Sequence, residues 1–92
     1  MKKVYYYVGA NNTTKTLESD KIIKTISEHF DGFTAFEVVG FWKGSQEKTL
    51  KIEVITELAD SKLTAIAREL KEKLEQDSVL MEIVESNCAF IN

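Results

Sequence analysis

Proline is absent from this chain, and glycine occurs only four times. Flexible Gly/Ser tethers and Pro-rich segments are therefore excluded, and residues 1–92 read as one domain. The single cysteine, Cys88, can close no internal disulfide, which fits a reducing compartment. The only histidine, His29, falls at the end of a predicted helix, where a side chain able to carry a proton suits the dipole. With no Cys-x-x-Cys and no histidine pair, neither a metal site nor a cofactor is expected. No apolar run approaches the roughly 18 residues of a membrane span, so a membrane is not an expected partner. The start, Met1–Gly9, is too short in its apolar part and too rich in tyrosine for a signal peptide, and a cytoplasmic location is expected. A net charge of −3 lacks the clustered Lys and Arg that phosphate backbones require, so nucleic acid is not expected either.

What is present is a strong pattern of strands and helices. Gly32–Glu57 holds two β-rich runs around Lys43-Gly44-Ser45, a hairpin signal. A three-residue loop there sets Val38 opposite Leu50, Phe36 opposite Ile52, and Glu37 opposite Lys51 as a cross-strand charge pair. Phe36, Val38, Trp42, Leu50, Ile52 and Val54 then face the core. A Gly44-Ser45 loop would instead put Glu37 on the face of Ile52 and Val54, a costly burial for a carboxylate.

Lys3–Val8 alternates around aromatic and β-branched residues and reads as a first strand. A helix is expected from Asp20 to Phe30, with Ser19 as N-cap, Ile22, Ile23, Ile26 and Phe30 at helical spacing, and Gly32 closing it. A second helix starts at Asp60 or Ser61 and carries Leu63, Ile66, Ala67, Leu70 and Leu74 on one face. Its charged residues read as a solvated face. Val79–Glu85 forms the last strand, and 86–92 a short apolar tail or extra edge strand. The order β-α-β-β-α-β predicts an α+β ferredoxin-like sandwich, an antiparallel four-stranded sheet in the order 4-1-3-2 with two helices on one face.

Helices cover only one side of such a sheet. The other side would carry Tyr5, Tyr7, Phe33, Val39, Phe41, Ile55, Leu80 and Val84, more apolar surface than a monomer usually exposes. A homo-oligomer packed sheet on sheet is the favoured covering. The Gly9–Thr16 loop is the candidate contact for a small anionic ligand, because backbone N–H groups and hydroxyls gather there ahead of a helix. Its candidates are Gly9, Asn11, Asn12, Thr13, Thr14 and Lys15, joined by Trp42 and Lys43 at the hairpin end. No catalytic constellation stands out, so binding is expected over turnover.

Gly40-Phe-Trp-Lys-Gly44 and Leu50-Lys-Ile-Glu-Val54 resemble the hairpin of the CutA proteins in the PII-like superfamily. There, a Trp-x-Gly turn is followed by an acidic residue and a hydrophobic strand, here Trp42, Gly44, Glu47 and Leu50 to Ile55. The resemblance implies a trimer, rather than a dimer, of ferredoxin-like subunits with inward sheets. It also implies a nucleotide or other small effector in the clefts between subunits, hence a regulatory binding protein. The chain has neither a cysteine on its first helix nor a His-Pro-Tyr segment, and its hairpin turn is short. Metal ligation and docking through a long loop are not implied. Two other readings remain open: a small acidic interaction or inhibitor protein, for instance of a mobile element, and a small dimeric α/β-barrel enzyme using the sheet face as its substrate cavity.

Overall fold

A computed structural model covers residues 1–92. Its elements run β1 (Lys2–Gly9), α1 (Ser19–Ser27), β2 (Thr34–Trp42), β3 (Ser45–Thr56), α2 (Asp60–Lys73) and β4 (Leu80–Glu85). All pairings are antiparallel, in the order β2-β3-β1-β4. This is the ferredoxin-like arrangement expected, with β1 and β3, the strands that supply the buried sheet residues, side by side at the centre. Val4, Tyr6 and Val8 of β1 and Leu50, Ile52 and Val54 of β3 meet Ile22 and Ile26 of α1 and Leu63, Ile66, Leu70 and Leu74 at α2 in one buried core. No helix is long and apolar enough to cross a membrane.

The hairpin departs from expectation by one residue. Its loop is Lys43-Gly44, not Lys43-Gly44-Ser45, and both residues have positive φ, 50° and 78°. Two-residue loops with both central residues left-handed match the right-handed twist of the flanking strands. The pairs are therefore Phe36 with Lys51, Glu37 with Leu50 and Val38 with Thr49. A one-residue slip turns a whole strand over. Phe36, Val38 and Trp42 lie on the open face, while Ala35, Glu37, Val39 and Phe41 lie on the helix side. The feared burial of Glu37 does not arise, because β2 is an edge strand that contributes only Ala35 to packing against the core. Glu37 stays exposed.

Smaller corrections concern the helix ends. The cap position of α1 is Glu18 rather than Ser19, without a side-chain cap bond, and the helix stops at Ser27. Gly32 does not have the left-handed φ of a closing glycine. Asp60 stands inside the first turn of α2, where the Lys2 ammonium lies 2.8 Å from its carboxylate. In the tail, Ser86 N–H donates to the Met1 carbonyl at 3.0 Å, and no strand follows.

Candidate functional site

At the end of the open face nearest the hairpin turn lies a cleft of about 590 Å³. It crosses all four strands. The run Val38–Trp42 of β2, Glu47 and Thr49 of β3, Tyr7 and Gly9 of β1, and Leu80 of β4 line it, and Gln76–Val79 close one end. The corrected register is what brings Trp42 here: it pairs with Ser45, two residues before Glu47 on the same face.

Glu47 is the carboxylate held among these rings and strands. It stands opposite Gly40, with Gly9 on its other flank, so neighbouring Cβ atoms do not crowd it. The second carboxylate at the cleft, Asp77, is on the exposed α2–β4 loop. Farther along the same face, the Lys51 ammonium lies 4.5 Å from the Tyr5 ring centroid, 5.2 Å from that of Tyr7 and 5.4 Å from that of Phe36. This end of the sheet therefore offers aromatic surface and one carboxylate, with Lys51 over the Tyr7 ring and Lys43 near the Trp42 ring, so a cationic ligand would have to displace or lie beside these ammonium groups.

The loop candidates divide. Gly9 and Asn12 line the cleft. Asn11 does not: it is 2% exposed and serves as the loop's pin. Its amide nitrogen donates to Glu18 at 3.0 Å and Glu75 at 3.1 Å, while its oxygen accepts from the Thr13 and Thr14 N–H groups at 2.7 and 3.1 Å. The Thr13 hydroxyl donates to Glu75 at 3.2 Å. These bonds to the Glu75 carboxylate, Asn11's first, hold its pKa below the usual range. Lys15 is exposed at a φ of 62°. Gln76 ties the wall together, donating to the Ala10 carbonyl at 2.7 Å. An anion at the start of α1 would face the carboxylates of Glu18 and Asp20. Lys43 sits at the hairpin tip, its ammonium 5.8 Å from the Trp42 ring.

Of the eight residues expected on the uncovered face, Tyr5, Tyr7, Ile55, Leu80 and Val84 are there, by their pairing with Lys3, Lys51 and Glu82 positions. Val39 and Phe41 are on the helix side for the reason given above. Phe33 precedes β2 and packs against the core. Glu47 was absent from the sequence candidates for a site. The signal that could have found it is an acidic residue facing a strand glycine, since strand glycines often mark close approach.

No protein-family model and no curated protein matches the chain. Solved structures do. A phage SAM lyase in complex with S-methyl-5'-thioadenosine is 26% identical, with a TM-score of 0.65 over 91% of this chain and 80% of the lyase. A phage SAM lyase in the apo state aligns at 21% identity and a TM-score of 0.68, over 90% of this chain and 78% of that one. A DUF3240 family protein from Shewanella baltica OS155 is 16% identical with a TM-score of 0.65, over 98% and 97%. CutA1 from Pyrococcus horikoshii OT3 is 14% identical with a TM-score of 0.55, over 98% and 87%, so the PII-like resemblance extends to the fold.

Proposed function

We propose that this protein binds a sulfonium nucleoside of the S-adenosylmethionine type in the cleft and cleaves a carbon–sulfur bond, releasing S-methyl-5'-thioadenosine. One observation carries the reading. The cleft gathers Tyr7, Trp42 and the Glu47 carboxylate in a chain 26% identical, over 91% of its length, to a phage lyase complexed with that thioether. A sulfonium is a cation with apolar substituents, so aromatic rings and one carboxylate complement it. The volume, about 590 Å³, falls in the range of small-molecule sites, roughly 300–1,000 Å³.

The chemistry asks little acid catalysis of the protein. The breaking bond leaves its electron pair on sulfur, which becomes neutral, so the leaving group needs no proton. As the C–S bond breaks, an oxygen of the substrate's own carboxylate forms a bond to the same carbon and closes a lactone, so no proton has to move. The route depends on holding the substrate chain folded back on itself, which a carboxylate accepting hydrogen bonds from the substrate ammonium can do. Glu47 takes that part.

The open face supports a second element of the reading, that copies of the chain pack through it; the preference for a trimer over a dimer rests on the CutA-like hairpin alone. Trp42 and Leu80 are 53% and 63% exposed, and the cleft opens along the same surface, so a second copy would complete its wall. The regulatory PII-like reading uses this same cleft without turnover.

One assay separates them. Purified protein is incubated with S-adenosylmethionine and thioether release is followed by chromatography. Release, lowered about 10²-fold by Glu47→Gln, is the expected result. Saturable binding without release supports the regulatory reading. Neither binding nor release overturns both, and leaves a protein-interaction role as the surviving one.

A further inference from the structure

Glycine inside a strand weakens it unless something needs the space. Two glycines flank the cleft carboxylate: Gly40 directly opposite Glu47 on β2, and Gly9 opposite Thr49 on β1. Neither has a left-handed φ, so backbone conformation does not demand glycine at either position. Space does at Gly9. A Cβ there would lie 2.7 Å from Glu47 Oε1, 3.0 Å from Cδ and 3.2 Å from Oε2. All three carboxylate atoms thus rest against bare backbone on the neighbouring strand. At Gly40 the conflict would be with a different side chain, Thr49, whose Oγ1 would be 2.6 Å away.

We propose that Gly9 is a positioning residue for Glu47: its missing side chain is the seat that lays the carboxylate across β1 at the floor of the cleft. The proposal rests on the reading of Glu47 as the group that holds the substrate's ammonium. Glutamate has three rotatable side-chain bonds, and Glu47 stands near the protruding end of a hairpin. Without the seat its head would swing toward solvent and the substrate arm would lose its anchor. A displacement of about 1 Å at such a group can cost about 10²-fold in rate. The atoms in conflict are the far end of a flexible side chain, so Gly9→Ala moves the carboxylate and leaves the strand in place.

The test uses the full chain as Gly9→Ala, Glu47→Ala and the double variant. Three quantities are read: thioether release, affinity for the nitrogen isostere of S-adenosylmethionine, and the position of the Glu47 carboxyl ¹³C resonance in ligand-free protein at one neutral pH. The isostere is cationic when protonated and has no cleavable sulfonium. Expected are a folded Gly9→Ala protein with release down about 10²-fold, a displaced Glu47 resonance, and weaker isostere binding. In the Glu47→Ala background the same substitution should not weaken binding further, since the two residues act as one unit. Unchanged release with an unmoved Glu47 resonance overturns the proposal, and so does an equal loss of affinity in both backgrounds. If the wild type releases no thioether while the Glu47 resonance still moves in Gly9→Ala, the seat stands and the lyase reading falls.

Discussion

Tyr6 and Tyr7 are neighbours on β1 with the same side chain and opposite surroundings. Tyr6 points under the helices, has no accessible surface, and donates its hydroxyl to the Leu63 carbonyl at 2.8 Å. Burial pushes its phenol well above the ordinary value. Tyr7 points to the open face, lines the cleft, and has its ring centroid 6.4 Å from that of Tyr5, with the Lys51 ammonium near both. The two faces of one sheet follow different rules. The covered face selects volume and admits a polar atom only with a partner. The open face keeps a charged group among aromatic rings, with Lys51 over Tyr5 and Tyr7.

The largest expected effect tests whether the open face is an interface. Leu80→Glu puts a charge on that face beside Tyr7, its cross-strand partner; if copies pack there as proposed, light scattering should show the wild type as an oligomer and the variant as a monomer. Lys62→Glu, exposed on α2 across the sheet from that face, should leave the mass in solution unchanged. The same outcome for both variants would erase the distinction between the faces.

The next effect is smaller and falls on folding. Tyr6→Phe removes the bond to Leu63 and should cost about 1 kcal/mol in urea unfolding, a fall in Tm of roughly 4–8 °C for a domain of this size. Tyr7→Phe should cost under about 0.5 kcal/mol, since surface changes away from buried networks seldom exceed that. Its effect should appear in ligand affinity. Equal losses of stability would mean that the cleft is part of the folding core.

How far the sequence carries depends on the face in question. The alternation of Val4, Tyr6 and Val8 and of Leu50, Ile52 and Val54 identified the inner face of both central strands, because burial there leaves no choice of residue class. Strand β2 was legible as a strand but not in register. Its apolar residues occur at both parities, Phe36 and Val38 against Val39 and Phe41, so hydrophobic pattern did not fix its orientation. The turn chemistry did: Lys43 with Gly44 accepts two left-handed residues, and a cost assigned to Glu37 outweighed that signal wrongly because an edge strand buries little. The loop after β1 was legible as a polar cluster. That Asn11 would turn inward while Asn12 faces the cleft follows from Glu18 and Glu75, which lie 7 and 64 positions away along the chain from Asn11. Glu47 was visible as a motif residue, but its setting between glycines on two neighbouring strands needs the correct register to be seen.

The smallest expected effect sits at the rim between the two faces, where Glu75 joins the β1–α1 loop to the end of α2. The Asn11 amide and the Thr13 hydroxyl donate to its carboxylate, the Asn11 bond contributing most, and the pKa lies below the ordinary 4.5 in the folded chain. A carboxyl whose folded pKa is depressed binds its proton more readily when unfolded. Its contribution to stability is therefore complete above the unfolded value and is lost as pH falls through the folded one. Wild type and Glu75→Gln, compared by urea unfolding across pH, should differ most near neutrality and converge below the ordinary 4.5. The group is solvent-exposed, so screening keeps the difference small and added salt should reduce it further. Convergence would tie the pH response of the cleft's loop wall to this carboxylate, and a constant offset at every pH would assign Glu75 a packing role in place of a charged one.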